Sequence, residues 1–234
     1  MKRFFDIDSP LYKLMTTLMN VVVLNFCWLI GCLPIVTIGV STTAAFDVGL
    51  RMVDNEEGYI SKQFIAAYKK NLKQGVILGI MLLAAAYAVY LDFQFFHATE
   101  KMIFLMIGML SAAIFFAAFV YAFPLAARYA NSIPNILKNS FRISTRYFGR
   151  TFLLMLLIAL EIFAFLWNST LIFLGVLFGP SLVILTICLI AKPIFRKIEI
   201  SNVENGYVPE GTYDSEHKTE DSIGEDSNDQ TENI

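Results

Sequence analysis

The chain has 234 residues, of which 56% are hydrophobic and only 16% charged, with a mean hydropathy of +0.60. A soluble domain carries about 25% charged residues, so an ordinary water-soluble fold is excluded. The net charge of −2 conceals two opposite parts: residues 1–198 hold 17 Lys/Arg against 9 Asp/Glu, and residues 199–234 hold one Lys against 11 Asp/Glu.

The N-terminal leader Met1–Lys13 mixes Lys2 and Arg3 with Asp6 and Asp8, and an uncharged run of 33 residues, Leu14–Phe46, follows. That run far exceeds the roughly 7–15-residue core of a cleavable signal, so it reads as an uncleaved anchor preceded by an amphipathic lead-in over Met1–Asn20. It also exceeds the ~20 residues that one membrane helix needs. Pro34 and Gly39 interrupt it, and both are tolerated at membrane depth when neighbours satisfy the freed backbone groups. The expectation is a first span over 17–33 and a short or re-entrant helix over 34–50, started by Ser41, Thr42 or Thr43 as N-caps.

Ser61–Gln74 places Lys62, Lys69, Lys70 and Lys73 beside Phe64, Ile65, Tyr68 and Leu72, a basic amphipathic helix. It leads into a second span over 75–96, a polar turn, and a third span over 102–127. Residues 128–150 carry Arg128, Lys138, Arg142, Arg146 and Arg150 with no acid, as a loop or interfacial helix. The fourth span is 151–167 and the fifth 171–191, with Gly179-Pro180 expected to kink the last. A competing division ends the fourth helix near Phe178 and leaves the fifth too short. The fold class is therefore all-α: a polytopic membrane protein of about five spans. The acidic tail over 199–234 lacks the apolar groups to offset ordering entropy and is expected to be disordered.

Lys/Arg excess marks cytoplasmic flanks, which places 62–73, 128–150 and the tail inside. Five spans then put the N-terminus outside, against the preference of Lys2, Arg3 and Lys13; a re-entrant Pro34–Leu50 removes the conflict. A basic stretch followed by a helical hairpin occurs at 61–127 and again at 136–191, each first hairpin helix carrying one acid, Asp92 or Glu161. This is a weak internal repeat.

The segment Asn25-Phe-Cys-Trp28-Leu-Ile-Gly-Cys-Leu33-Pro34-Ile-Val-Thr37-Ile-Gly39-Val-Ser41-Thr-Thr-Ala44 resembles the signature of the YesL family of bacterial multi-pass membrane proteins of unknown function. Asn, Trp three residues on, a Leu-Pro-x-x-Thr-x-Gly turn and a small-residue helix start are all present. Phe64 and the Lys-Asn-Leu-Lys-Gln run at 70–74 resemble a second block. The resemblance covers roughly 1–195. It implies a bacterial plasma-membrane protein linked by association to sugar-uptake ABC transporters and glycan-degrading enzymes, and it carries no catalytic residues to transfer.

The candidate polar residues each have two readings. Glu161 falls about 16 Å into its span at 1.5 Å per residue. An ionisable group there marks a proton, cation or solute site by default, or it joins helices through Asn20, Asn25 or a Ser/Thr. Asp92 is a site residue or a solvated interfacial acid. Pro34, Thr37, Gly39 and Ser41, with Asn25 before them, line a cavity or form a structural turn. The basic flanks are topology signals and contacts for anionic lipid, or a docking surface; no nucleic-acid partner is expected. Cys27, Cys32 and Cys188 read as buried hydrophobes, and His97 and His217 have no partners at ligand spacing, so neither metal nor cofactor is expected. Asn168-Ser-Thr fits a glycosylation sequon but is wedged between spans. Two functions follow, neither enzymatic. One is an accessory component of carbohydrate uptake, binding the lipid bilayer and a sugar ABC permease or a copy of itself. The other is a small polar-solute or proton-coupled transporter acting as an oligomer.

Overall fold

The computed structural model describes residues 10–56, 58–129 and 131–204. Every described element is a helix: α1 Pro10–Gly31, α2 Ile38–Asp54, α3 Ile60–Lys70, α4 Leu72–Thr99, α5 Met102–Phe119, α6 Ala122–Arg128, α7 Ile133–Arg146, α8 Phe148–Leu166 and α9 Ser169–Glu204. A 3-10 turn, Ile35–Thr37, joins α1 to α2. The all-α expectation holds. By length and composition five stretches can cross a membrane: Ile35–Asp54, Leu72–Thr99, Met102–Arg128, Phe148–Leu166 and Thr170–Ile200.

The number five agrees with the sequence reading, but its first member does not. The expected first span over 17–33 corresponds to α1, whose apolar stretch Met15–Gly31 is the shorter one. The supposed short segment 34–50 belongs to a 20-residue stretch ending at Asp54. The reason is the turn. Helix α1 stops at Gly31 because Pro34 cannot continue its bonding ladder, and the chain reverses within Cys32–Thr37. Ser41 Oγ donates to the Trp28 carbonyl at 2.8 Å and Trp28 Nε1 donates to Thr42 Oγ1 at 3.2 Å. Those pairings make α1 and α2 an antiparallel hairpin. Pro10 and Asp54 therefore lie towards the same end, the end that also holds Arg128 and Lys192.

Helix α2 is the hub. It packs on α1, α3, α4, α6 and α9, and 67% of its apolar window is buried, against 11% for each of the windows in α4, α5–α6 and α8. Its sequence permits this because Gly39, Ser41, Thr43, Ala44, Ala45 and Gly49 are small. Gly39 meets Gly75 and Gly79 at the start of α4. A Cβ on Gly39 would stand 2.5 Å from the Gly79 backbone, and one on Gly75 would stand 2.6 Å from Val40 Cα. Gly75-x-x-x-Gly79 is the small-residue spacing that lets membrane helices approach closely.

Beyond this base the hairpins α4–α5 and α8–α9 project with apolar side chains exposed, among them Leu83, Tyr87, Met106, Leu110, Phe152 and Phe163, the pattern of a lipid-facing surface. In the second hairpin Gly175 lets Phe165 sit close, 2.9 Å from where a Cβ would be. The basic segment after α6 is partly helical, as α7. Helix α9 is continuous through Pro180 and Pro193, so the division at Phe178 does not occur. It also runs past the compositional boundary at 199 as far as Glu204; the lead-in before Pro10 and the tail from 205 lie outside the described residues.

The glycine contact yields a test. Gly39→Ala would gain up to about 1 kcal/mol of helix propensity but should lose about 1–3 kcal/mol to overpacking. Gly149→Ala, with nothing within 4 Å of the added carbon, should be neutral or stabilising. Thermal unfolding in detergent compares them, and a Gly39→Ala protein as stable as wild type would contradict the packing account.

Candidate functional site

The signature residues converge on the α1–α2 turn, and most of their hydroxyls bond to backbone carbonyls around it. Thr37 Oγ1 lies 2.9 Å from the Gly31 carbonyl and 2.8 Å from that of Pro34. Ser41 takes Trp28, and Thr43 Oγ1 donates to Gly39 at 2.8 Å. Gly31 must lack a side chain because Ser41 Oγ would lie 2.7 Å from its Cβ. Pro34, Thr37, Gly39 and Ser41 are thus brought together as a structural turn, with Leu33, Ile35 and Val36 exposed at its tip.

Asn25 does something different. It is fully buried and points at α9, where Nδ2 donates to the Val176 carbonyl at 2.9 Å. In a regular helix that carbonyl receives the N–H of residue 180, and residue 180 is proline. The side-chain amide replaces the donor that Pro180 lacks, which is how a membrane helix tolerates an internal proline. Ser181 Oγ approaches Asn25 Oδ1 at 3.5 Å.

The two intramembrane acids do not meet each other or Asn25. Asp92 on α4 accepts from Ser111 Oγ on α5 at 2.7 Å, and Glu161 on α8 accepts from Thr186 Oγ1 on α9 at 2.7 Å. Both are half-buried. The weak repeat therefore has a physical counterpart: each hairpin is closed by one acid–hydroxyl clasp between its two helices. The second carboxylate oxygen of Glu161 is buried without a hydrogen-bond partner. His97 sits against Phe96. Among the described residues no three His, Cys, Asp or Glu side chains group as metal ligands, and Cys188 is buried, facing the Phe46 carbonyl.

Sequence reasoning missed a charged cluster at the shared end of α2, α6 and α9. Arg51 pairs with Asp47 at 3.1 Å, Lys192 contacts Asp54, and Arg128 holds both carboxylate oxygens of Glu199, at 2.9 and 3.1 Å. The two-pronged geometry is the strong form of this pair. Tyr129 donates its hydroxyl to Glu199 as well. Burial, and then the neighbouring Glu199, raise the Tyr129 phenol well above its ordinary range, which keeps it a donor. The only sequence signal was that Asp47 and Asp54 are spaced for one face of α2.

Two cavities flank these features. The larger, about 650 Å³, lies between α1, α2, α8 and α9 and the end of α5. Its walls are apolar apart from Thr42 and the Trp28 indole, which bond to each other. Val176, Ile162, Ile172 and Leu166 line it and are exposed, so it is an open groove. Neither Glu161 nor Asp92 lines it. The smaller, about 500 Å³, lies between α7 and α9 and is polar.

A family model described as "Protein of unknown function, DUF624" matches residues 21–93. That span takes in the second half of α1, the turn, α2, α3 and α4 as far as Phe93, and so includes every residue of the glycine contact. No curated protein and no solved structure matches the chain.

Two predictions test the polar assignments. Asn25→Leu strands a buried carbonyl and should cost about 1–3 kcal/mol, whereas in a Pro180→Ala background the helix supplies its own donor. The two changes should couple by at least about 0.5 kcal/mol in a double-mutant cycle of thermal unfolding; additivity would refute the replacement. For Glu161, the Gln variant keeps an acceptor for Thr186 and should unfold like wild type, while Glu161→Leu should cost about 0.6 kcal/mol, typical of such bonds. Equal losses from both would show that the clasp depends on the charge.

Proposed function

We propose that the chain is a YesL-like membrane protein over its whole helical domain, and that it acts as a non-enzymatic accessory component of carbohydrate uptake or utilisation in the bacterial plasma membrane. In this reading the charged end, with the basic flanks, faces the cytoplasm. The carbohydrate link rests on the resemblance of residues 25–44 and 64–74 alone. The accessory role rests on one observation: the groove between α1, α2, α8 and α9 is apolar and open, suited to an apolar segment of a permease, while the polar groups that a solute path would need are spent within separate hairpins. The buried free oxygen of Glu161 is what favours the competing reading, a polar-solute or proton-coupled transporter.

Co-expression with a sugar ABC permease and purification in mild detergent separates the two. An accessory protein should retain the permease, and Val176→Trp, which fills the groove from its exposed side, should weaken retention by about tenfold or more, equivalent to ~1.4 kcal/mol, at unchanged membrane levels. Sugar accumulation by the chain alone in proteoliposomes, abolished by Glu161→Gln, would instead establish the transporter. Cysteines at Asn135 should react with a membrane-impermeant label only from the inner face; reaction from outside would reverse the orientation.

A further inference from the structure

The polar groove between α7 and α9 has an electrostatic imbalance. Lys138, Arg142 and Arg146 line it and follow one another at four-residue spacing, so they share one face of α7 and repel along it. All three are exposed. The ion pairs found among the described residues involve Arg51, Arg128 and Lys192; none reaches these three. The one acid in the groove wall, Glu199, is already held by Arg128 and Tyr129. Asn131, Asn135 and Asn139 stand beside the cations and offer amide donors. The groove is built for several carboxylates or phosphates, and its one acid is already engaged.

We propose that this groove is the docking site of the chain's own acidic C-terminal segment, residues 205–234. Three observations favour that occupant. Helix α9 itself forms one wall through Phe195, Ile198 and Glu199 and ends at Glu204, so the segment starts one to two helical turns, ~7.5 Å, beyond the wall. Its charge is opposite: residues 205–234 carry nine Asp/Glu and one Lys, with Glu210, Asp214 and Glu216 earliest. Its reach suffices, since ten extended residues span about 33 Å and the three cations extend only ~12 Å along α7. Tethering also gives the segment an effective concentration near the millimolar range, which a free anion must match.

The test uses the full chain in phosphatidylcholine nanodiscs, with Asn139→Cys in the groove and Ser215→Cys in the segment, joined by a short bifunctional maleimide; each single-cysteine variant gives the background. Cross-linking should be efficient at low salt and should fall at about 1 M salt, where the screening length is ~3 Å. It should drop at least about fivefold, the loss of a tethered contact, in Lys138→Gln/Arg142→Gln/Arg146→Gln. If that protein does not fold, Glu210→Gln/Asp214→Asn/Glu216→Gln carries the same expectation from the other side. Exchanging the charges, with Glu at the three groove positions and Lys at the three segment positions, should restore the yield. A yield indifferent to both neutralised sets would overturn the proposal. So would abolition of cross-linking in the wild-type charge background when phosphatidylglycerol replaces phosphatidylcholine, because the groove would then belong to a lipid headgroup.

Discussion

The architecture depends on the close approach of α2 to α4 at Gly39, Gly75 and Gly79. In lipid, apolar side chains gain nothing by leaving the tails, so helices associate through tight packing and polar contacts. Removing side chains at the crossing lets backbone lie on backbone, with a prospective Cβ only 2.5 Å from Gly79. That contact fixes where the α1–α2 hairpin turns and seats α2 among five neighbours. With α2 in place, the first turns of α4 and the inner half of α9 have a surface to pack on. The outer part of α9 packs on α1 at Asn25, while the outer parts of α4, α5 and α8 project into lipid with little but their own partner helix to touch.

A broken helix at such a centre must settle its backbone account, and the signature residues do so locally. Thr37 and Ser41 serve carbonyls at the end of α1, while Asn25 serves one on α9 that Pro180 leaves open. Polar residues set between hydrophobic stretches invite a functional reading, and here bonding geometry ties them to two interruptions, Pro34 and Pro180. The acid–hydroxyl clasps follow the same logic further out. Each hairpin has few neighbours beyond its own two helices, and one polar contact fixes their register.

Hydropathy made α4, α5, α8 and α9 legible because long uncharged runs have few other outcomes. The turn at Pro34–Ser41 was legible too, as proline and glycine leave a local mark. What it packs against was not: Gly75 and Gly79 look like ordinary span residues until Gly39 is placed beside them. The division of the first apolar run was hidden for a related reason. A run of 33 uncharged residues shows that one helix is too few, but only the bonds from Ser41 and Thr42 back to Trp28 show that two helices return antiparallel. Glu161 was found by its isolation, yet Thr186 could not be singled out among many hydroxyls. The boundary at 199 came from composition, and α9 runs across it to Glu204; Ile194, Phe195 and Ile198 pack on the core just before the acids begin.

Charge at the end shared by α2, α6 and α9 divides into two populations with different physics. Asp47, Arg51, Asp54, Arg128, Lys192 and Glu199 are paired with opposite charges, the pairs Lys192–Asp54 and Arg128–Glu199 tying α9 to α2 and α6, and none is fully exposed. Burial demands that match, since an unpaired charge there would carry its full desolvation cost. Lys138, Arg142 and Arg146 are exposed and face no such demand, so the fold leaves them without a counter-charge. A counting of basic residues treats both sets alike as signals of sidedness. The structure separates them: the first set is consumed in holding the base together, and the second remains available at the edge of a groove whose far wall is the last helix before the acidic segment.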